Sequence, residues 1–187
     1  QNPTFGGTKT AGTNTDASGK GLFTYTVPTG FSALCEDNLP TPAIADPGEH
    51  FKCVLWTGDG NAGRSITGVG FKPDLVWVKV RDAANSTYIF DTIRGANKAL
   101  FSDLTSAENG NNFVNDNGKS FVAWCWKAGG VGVANTDGSI NSTVSANQTA
   151  GFSIVSYTGT GSVGTVGHGL GKRPKVVIVK DRTASTN

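Results

Sequence analysis

The chain has 187 residues, 26 of them glycine, with only 16% charged residues and a formal net charge of +2. That length holds one sizeable domain or two small ones. Charged residues stand well below the ~25% of an average domain and the Lys and Arg are scattered, which argues against a nucleic-acid surface. No run of 18 apolar residues is present, so no membrane-spanning helix is expected.

Residues 1–40 are rich in Gly, Thr and Asn and contain one clear strand pattern, LFTYTV, from Leu22 to Val27. Pro40, Pro42 and Pro47 then punctuate DNLPTPAIADPGEH, which reads as an extended linker over 41–50. A β-rich module is expected over 51–130. It opens with the β-prone run FKCVLW and the glycine-rich stretch WTGDGNAG, from Trp56 to Gly63.

That stretch has the spacing G-x-G-x-x-G of a dinucleotide-binding turn. Such a turn needs a helix directly after its third glycine, because the helix amides and dipole hold the pyrophosphate. Here Gly68, Gly70 and Pro73 follow instead, and glycine weakens a helix while proline breaks it. Asp82 lies near the distance expected of a ribose-binding acid. The sequence therefore predicts strand, glycine loop, strand, with the glycines supplying positive φ in tight turns and no nucleotide cofactor.

The second strand, LVWVKVR, places Val76, Val78 and Val80 on one face and Trp77, Lys79 and Arg81 on the other. STYIFD is a further strand, and IRGANKALFSDLTSAENG reads as loop. NDNGKS, from Asn115 to Ser120, is only a fragment of a calcium loop. A turn at Asn117-Gly118 explains it better. In FVAWCWK, Phe121, Ala123 and Cys125 alternate with Val122, Trp124 and Trp126, so one of these sets faces a core. Residues 131–150 are small, polar and glycine-rich and read as a linker with one weak strand, SINSTVS. A second module, incomplete, is expected over 151–187.

The second module is recognised by repetition. Adding 101 to positions 56–83 aligns them without a gap on 157–184, with 12 identities in 28 positions. Thr57, Gly58, Gly60 and Gly63 meet Thr158, Gly159, Gly161 and Gly164. Gly68, Gly70 and Pro73 meet Gly169, Gly171 and Pro174. Val76, Val78, Lys79, Arg81 and Ala83 meet Val177, Val179, Lys180, Arg182 and Ala184. Chance would give about two, from the usual residue frequencies. Thr183 stands where the first copy has Asp82, which further weakens a nucleotide site. The second copy stops where DAANSTYIFD continues in the first, and the chain contains no methionine. It is therefore read as an interior piece of a longer polypeptide.

Candidate sites are few. His168 lies in the second glycine loop, opposite Thr67 of the first, and no G-x-S-x-G elbow accompanies it. Asp59, Asp74, Asp82, Asp91, Asp103, Glu108 and Asp116 are spread out with no motif that pairs two of them. Trp56, Trp77, Trp124 and Trp126 could stack on sugars, but all lie in strand patterns and read as core. Arg94, after a strand and before Gly95, is expected to pair with Asp91 or a backbone carbonyl. Cys35, Cys53 and Cys125 form no C-x-x-C pair and, with only His50 and His168 besides, suggest free thiols rather than a zinc site. No catalytic, cofactor-binding or metal-ligating residue is assigned.

Several of these segments together carry a resemblance. ITGVGFKPDLVWVKVR, FDTIRGANK from Phe90 to Lys98 and FVAWCWKAGG from Phe121 to Gly130 resemble repeated domains of phage virion proteins, found in marine cyanophages and usually described as tail-fibre or structural proteins. NPTFGGTKT and FTYTVPTGFSALCEDNLP resemble the closing strands of a SPRY-like β-sandwich, here spanning 1–40. Between Glu108 and Phe121 the chain is shorter than the family pattern, which puts the edge strands there in doubt. The resemblance implies an all-β protein of tandem β-sandwich-like modules with glycine-rich turns. It implies a virion protein assembled in the host cytoplasm, most simply a tail fibre or appendage that attaches to the host by binding. Its expected partners are copies of itself, as a trimer by analogy with fibres, other virion proteins and a host surface glycan or receptor. A capsid decoration or spacer protein and a glycan depolymerase are the alternatives.

Overall fold

The computed structural model describes residues 11–110 and 114–183. The chain divides into two compact units, Gln1–Ala45 and Asp46–Asn187.

The first unit is built around one carboxylate. Asp16 is buried. Its Oδ1 accepts the backbone N–H of Ser18 and of Lys20, both at 2.9 Å, and its Oδ2 accepts Ala33 N–H at 2.8 Å and Asn38 Nδ2 at 2.7 Å. The expected strand over Leu22–Val27 is reduced to a single antiparallel bridge between Asn14 and Phe23. Among the described residues no second strand pairs with it, and Tyr25 is exposed, so neither ladder nor core holds it extended. The amides of Lys20 and Ala33, first among its partners, hold the Asp16 carboxyl down at about 2. A carboxyl held below its unfolded value stabilises the fold above that value and stops doing so as pH falls through the folded one. Acid titration is therefore expected to open this unit between about pH 4 and 2. Amide exchange at Ala33 and Lys20 reports it, and Asp16→Asn should open the unit already at neutral pH.

The second unit contains two antiparallel sheets, so the fold is all-β. The first has five strands, β1 (Phe51–Thr57), β2 (Leu75–Val80), β3 (Tyr88–Asp91), β4 (Leu100–Phe101) and β5 (Ser120–Trp126), in spatial order β1-β5-β2-β3-β4. The last strand in sequence thus lies between the first two. Its register sets Phe121 between Trp56 and Val80, and Ala123 between Val54 and Val78. Side chains alternate across a strand, so the set Phe121, Ala123, Cys125 meets Val78 and Val80 on one face. These five residues are 1–3% exposed and form the core. Val69 and Phe71, from the loop after the first glycine stretch, pack on them.

The second sheet has three strands, β6 (Val133–Asn135), β7 (Ser142–Asn147) and β8 (Phe152–Tyr157), in that order. Residues 131–150, read from sequence as a linker with one weak strand, SINSTVS, hold β6 and β7, the latter overlapping that strand. Val144 and Ser145 of β7 are buried at 4% and 1%, a burial masked in the sequence by small polar neighbours. The counterpart of β2 in the second repeat does not form a strand. Residues 176–179 join no ladder and expose their side chains by 69–78%. In the first repeat β2 is held by β5 and β3. Counterparts of those strands 101 residues on would lie past residue 187. Among the described residues the helical elements are two short 3-10 turns ahead of β1, and no helix is long and apolar enough to cross a membrane.

Candidate functional site

The first glycine loop is occupied by the protein itself. Gly58 N–H donates to Lys119 O at 2.8 Å, Asp59 N–H to Asn115 Oδ1 at 3.3 Å, Gly60 N–H to Asn115 O at 2.9 Å and Asn61 N–H to Asp59 Oδ1 at 3.0 Å. Asn115 is buried and closes the clasp, its Nδ2 donating to Asp59 Oδ1 at 2.6 Å and to Asn61 O at 3.0 Å. The amides of Gly58, Asp59, Gly60 and Asn61 thus face protein acceptors, and no helix follows Gly63. The expectation that all these glycines supply positive φ is corrected at Gly58, Gly159 and Gly164, none of which has it. Gly60 and Gly63 do, at 75° and 77°. Gly58 does not: it is required by close approach, because a Cβ there would stand 2.0 Å from the Asp116 carbonyl oxygen.

The scattered acids work as loop latches. Asp74, 4% exposed, accepts the N–H groups of Ala128 at 2.8 Å and Gly130 at 3.2 Å, fixing the exit of β5. Asp82 accepts Ser120 N–H at 2.9 Å, and Asp103 accepts Thr87 N–H at 3.1 Å. Backbone donors first of all hold the Asp59 and Asp82 carboxyls below their ordinary values.

Two acids converge on Arg94. Its side chain is 4% exposed and donates to Asp91 Oδ2 at 2.5 Å, Glu108 Oε2 at 3.1 Å, Lys98 O at 2.9 Å and Ile89 O at 3.0 Å. The expected Asp91 and carbonyl partners are both present. Sequence did not foresee Glu108 or Arg182, whose Nε lies 3.0 Å from Glu108 Oε2 and whose Nη1 donates to Ser156 Oγ at 2.8 Å. The available signal was the repeat, in which Arg182 answers Arg81. Burial pushes the Glu108 carboxyl up, but bonds from Arg182 and Arg94 outweigh it and leave it below its ordinary value.

The tryptophans sit in the first sheet, as their strand patterns required. Trp56 stacks on Phe121 with centroids 5.1 Å apart and planes 7° apart. On the opposite face Trp77 meets Trp124 edge-on at 6.3 Å, and Trp126 lies between Phe51 at 5.0 Å and Phe152 of β8 at 5.9 Å. All four are half-buried, with ring faces engaged by neighbours rather than set out as a platform. Cys35, Cys53 and Cys125 are free thiols.

The open surface lies at the second glycine loop. A shallow depression of about 580 Å³ is lined by Asp137, Gln148, His168, Lys172 and Arg173 together with glycine backbone. Leu170 N–H donates to His168 Nδ1 at 3.2 Å, which leaves Nε2 carrying the proton of the neutral ring. Asp137 is braced by Asn135, whose Nδ2 lies 3.1 Å from its Oδ2. The depression therefore offers two cationic donors, one imidazole N–H, one amide and one carboxylate, an assortment that suits polyhydroxylated or carboxylated ligands. Among the described residues no three His, Cys, Asp or Glu gather as metal ligands.

A family model described as a domain of unknown function, DUF7483, matches the chain over residues 46–114 and 107–187. No curated protein and no solved structure matches it.

Proposed function

The chain belongs to the DUF7483 family, a domain of unknown function, and on that premise we propose that it is a phage virion protein, a tail fibre or tail appendage that attaches to a host surface by binding. The observation that carries this reading is the depression at the second glycine loop. It is open and polar and lies on loops carried by a β-rich scaffold, where binding residues concentrate. Repetition of modules along a fibre, and of chains in an oligomer, would turn weak contacts at such a site into avidity. The acids support binding over hydrolysis, because Asp59, Asp74, Asp82, Asp91, Asp103 and Glu108 are each committed to latching backbone or an arginine. The three free thiols suit assembly in a reducing cytoplasm.

A glycan array probed with the soluble chain tests the reading. Binding to acidic or hydroxyl-rich host glycans is expected. Arg173→Ala is expected to weaken it about tenfold, the worth of a lost charged hydrogen bond. His168→Ala should weaken it by less. A chain that binds no glycan and blocks no particle adsorption, yet is found on capsids, would instead favour a decoration role.

A further inference from the structure

Within the first repeat, β1 is an edge strand, bonded to β5 on one side only. Lys127 N–H donates to His50 O and Gly58 N–H to Lys119 O, so the even-numbered residues of β1 turn their backbone toward β5. The N–H and C=O groups of Phe51, Cys53 and Leu55 therefore face outward, and among the described residues nothing bonds to them. At the next outward position the edge is capped, because Arg64 Nη1 donates to Thr57 O at 2.5 Å. The open stretch is thus Phe51–Leu55, centred on Cys53. The second repeat covers the same edge. β8 answers β1, and β7 lies along its outer side. The turns that lead into the two strands are capped alike: Asn147 Oδ1 accepts Ala150 N–H at 3.0 Å and Asp46 Oδ1 accepts Gly48 N–H at 2.8 Å. By the repeat register β7 answers residues 41–46, which form no strand. Pro42 stands where β7 has Thr143, and the partner of Thr143, Ser156, answers the outward-facing Leu55. Proline has no N–H to give to the Leu55 carbonyl. The junction ahead of the first repeat therefore cannot complete the ladder that β7 completes in the second.

We propose that this edge takes a second copy of the chain, the two β1 strands pairing antiparallel about a twofold axis at Cys53 and joining their five-stranded sheets into one. The register follows from the open stretch. Phe51, Cys53 and Leu55 carry the free rungs, and only an axis at Cys53 engages all three in both copies. Phe51 and Leu55, 40% and 62% exposed, then lie opposite each other across the axis, on the face that carries Trp124 and Trp126. Each covers the other's apolar surface. Lys52, the one charge in β1, points to the opposite face. Antiparallel pairing also brings the Glu49 end of each strand to the Arg64 end of the other, opposite charges that a parallel pairing would keep apart. Three rungs make a small interface, so the pair is weak alone and gains from repetition of chains in an assembly.

Sedimentation of the intact chain under reducing conditions tests this. A monomer–dimer equilibrium is expected, with the dimer dominant above about 100 μM, as suits an interface at the small end of the range. Amide exchange reads the register. Phe51, Cys53 and Leu55 should slow about tenfold or more between dilute and concentrated chain. Lys52 and Val54, whose backbone already faces β5, should not change. A short bismaleimide should link Cys53 to Cys53 of the second copy, and Cys53→Ser should abolish that link and leave the dimer. Leu55→Lys should weaken the dimer at least about tenfold. It should keep the unfolding midpoint of the dilute chain, since Leu55 is exposed in the single copy. A chain that stays monomeric up to about 1 mM, a trimer, slowed amides that do not alternate along β1, no link through Cys53, or a dimer indifferent to Leu55→Lys overturns the proposal.

Discussion

Arg94→Ala is expected to cost about 3–5 kcal/mol of stability, the range for removing one member of a buried ion cluster. The cause is what remains. Asp91 and Glu108, 5% and 13% exposed, would face each other without the cation between them, and the Ile89 and Lys98 carbonyls would lose their donor. Glu108 would keep Arg182 and the longer contact with Lys98 Nζ at 3.6 Å. Urea unfolding followed by tryptophan fluorescence measures the loss directly. Arg94→Lys should recover less than half of it, because an ammonium cannot address four acceptors through a planar fork. Arg182→Ala, whose side chain is 35% exposed, should cost only about 1 kcal/mol, as partly solvated pairs do. The same cluster sets an acid limit. Glu108 sits below its ordinary value when folded, so its contribution is present at neutral pH and is lost as pH falls through the folded value. In Arg94→Ala that acid sensitivity should shrink, because Glu108 has then lost one of its two arginines.

The extent to which this cluster was foreseeable separates two kinds of information. Arg94 and Asp91 are three residues apart, and a local pairing is visible in a string. Glu108 and Arg182 are 74 positions apart and meet only because the second repeat folds back on the insert of the first. The strands show the same division. β1, β2, β3, β5 and β8 announce themselves through runs of Val, Ile and aromatics whose alternation puts one set in the core. β6 and β7 are built from Val, Ala, Ser, Thr and Asn, and their pairing is decided by β8 rather than by their own propensity. Residues 175–180 show the converse. KVVIVK is the strongest strand pattern of the second repeat, yet it forms no ladder, because a strand is a property of a pair. The glycine loop was legible as a turn and not as a clasp. Asn115, which closes it, lies in a stretch whose sequence suggested a hairpin turn and nothing more.

Phe121→Ala should be the most damaging apolar substitution, at about 3–5 kcal/mol, the usual range for a buried phenylalanine. Phe121 is 1% exposed and lies in register between Trp56 of β1 and Val80 of β2. The loss has two parts. The ring's transfer from water is forfeited, and a cavity opens under a sheet whose backbone ladders on both sides resist collapse. The parallel stack on Trp56 also goes, worth about 0.5–1.5 kcal/mol beyond area. Phe121→Leu keeps most of the volume and should lose only the stacking and some fit, about 1–2 kcal/mol. Leu55→Ala provides the contrast on the neighbouring strand. Leu55 is 62% exposed on the opposite face, and its removal should stay within about 0.5 kcal/mol. Thermal unfolding of the three variants decides the matter, with Trp56 fluorescence shifted only in the two Phe121 variants. Should Leu55→Ala prove as damaging as Phe121→Ala, the core would lie on the Trp124 and Trp126 face of β5, and the assignment of inside and outside in this sheet would have to be reversed.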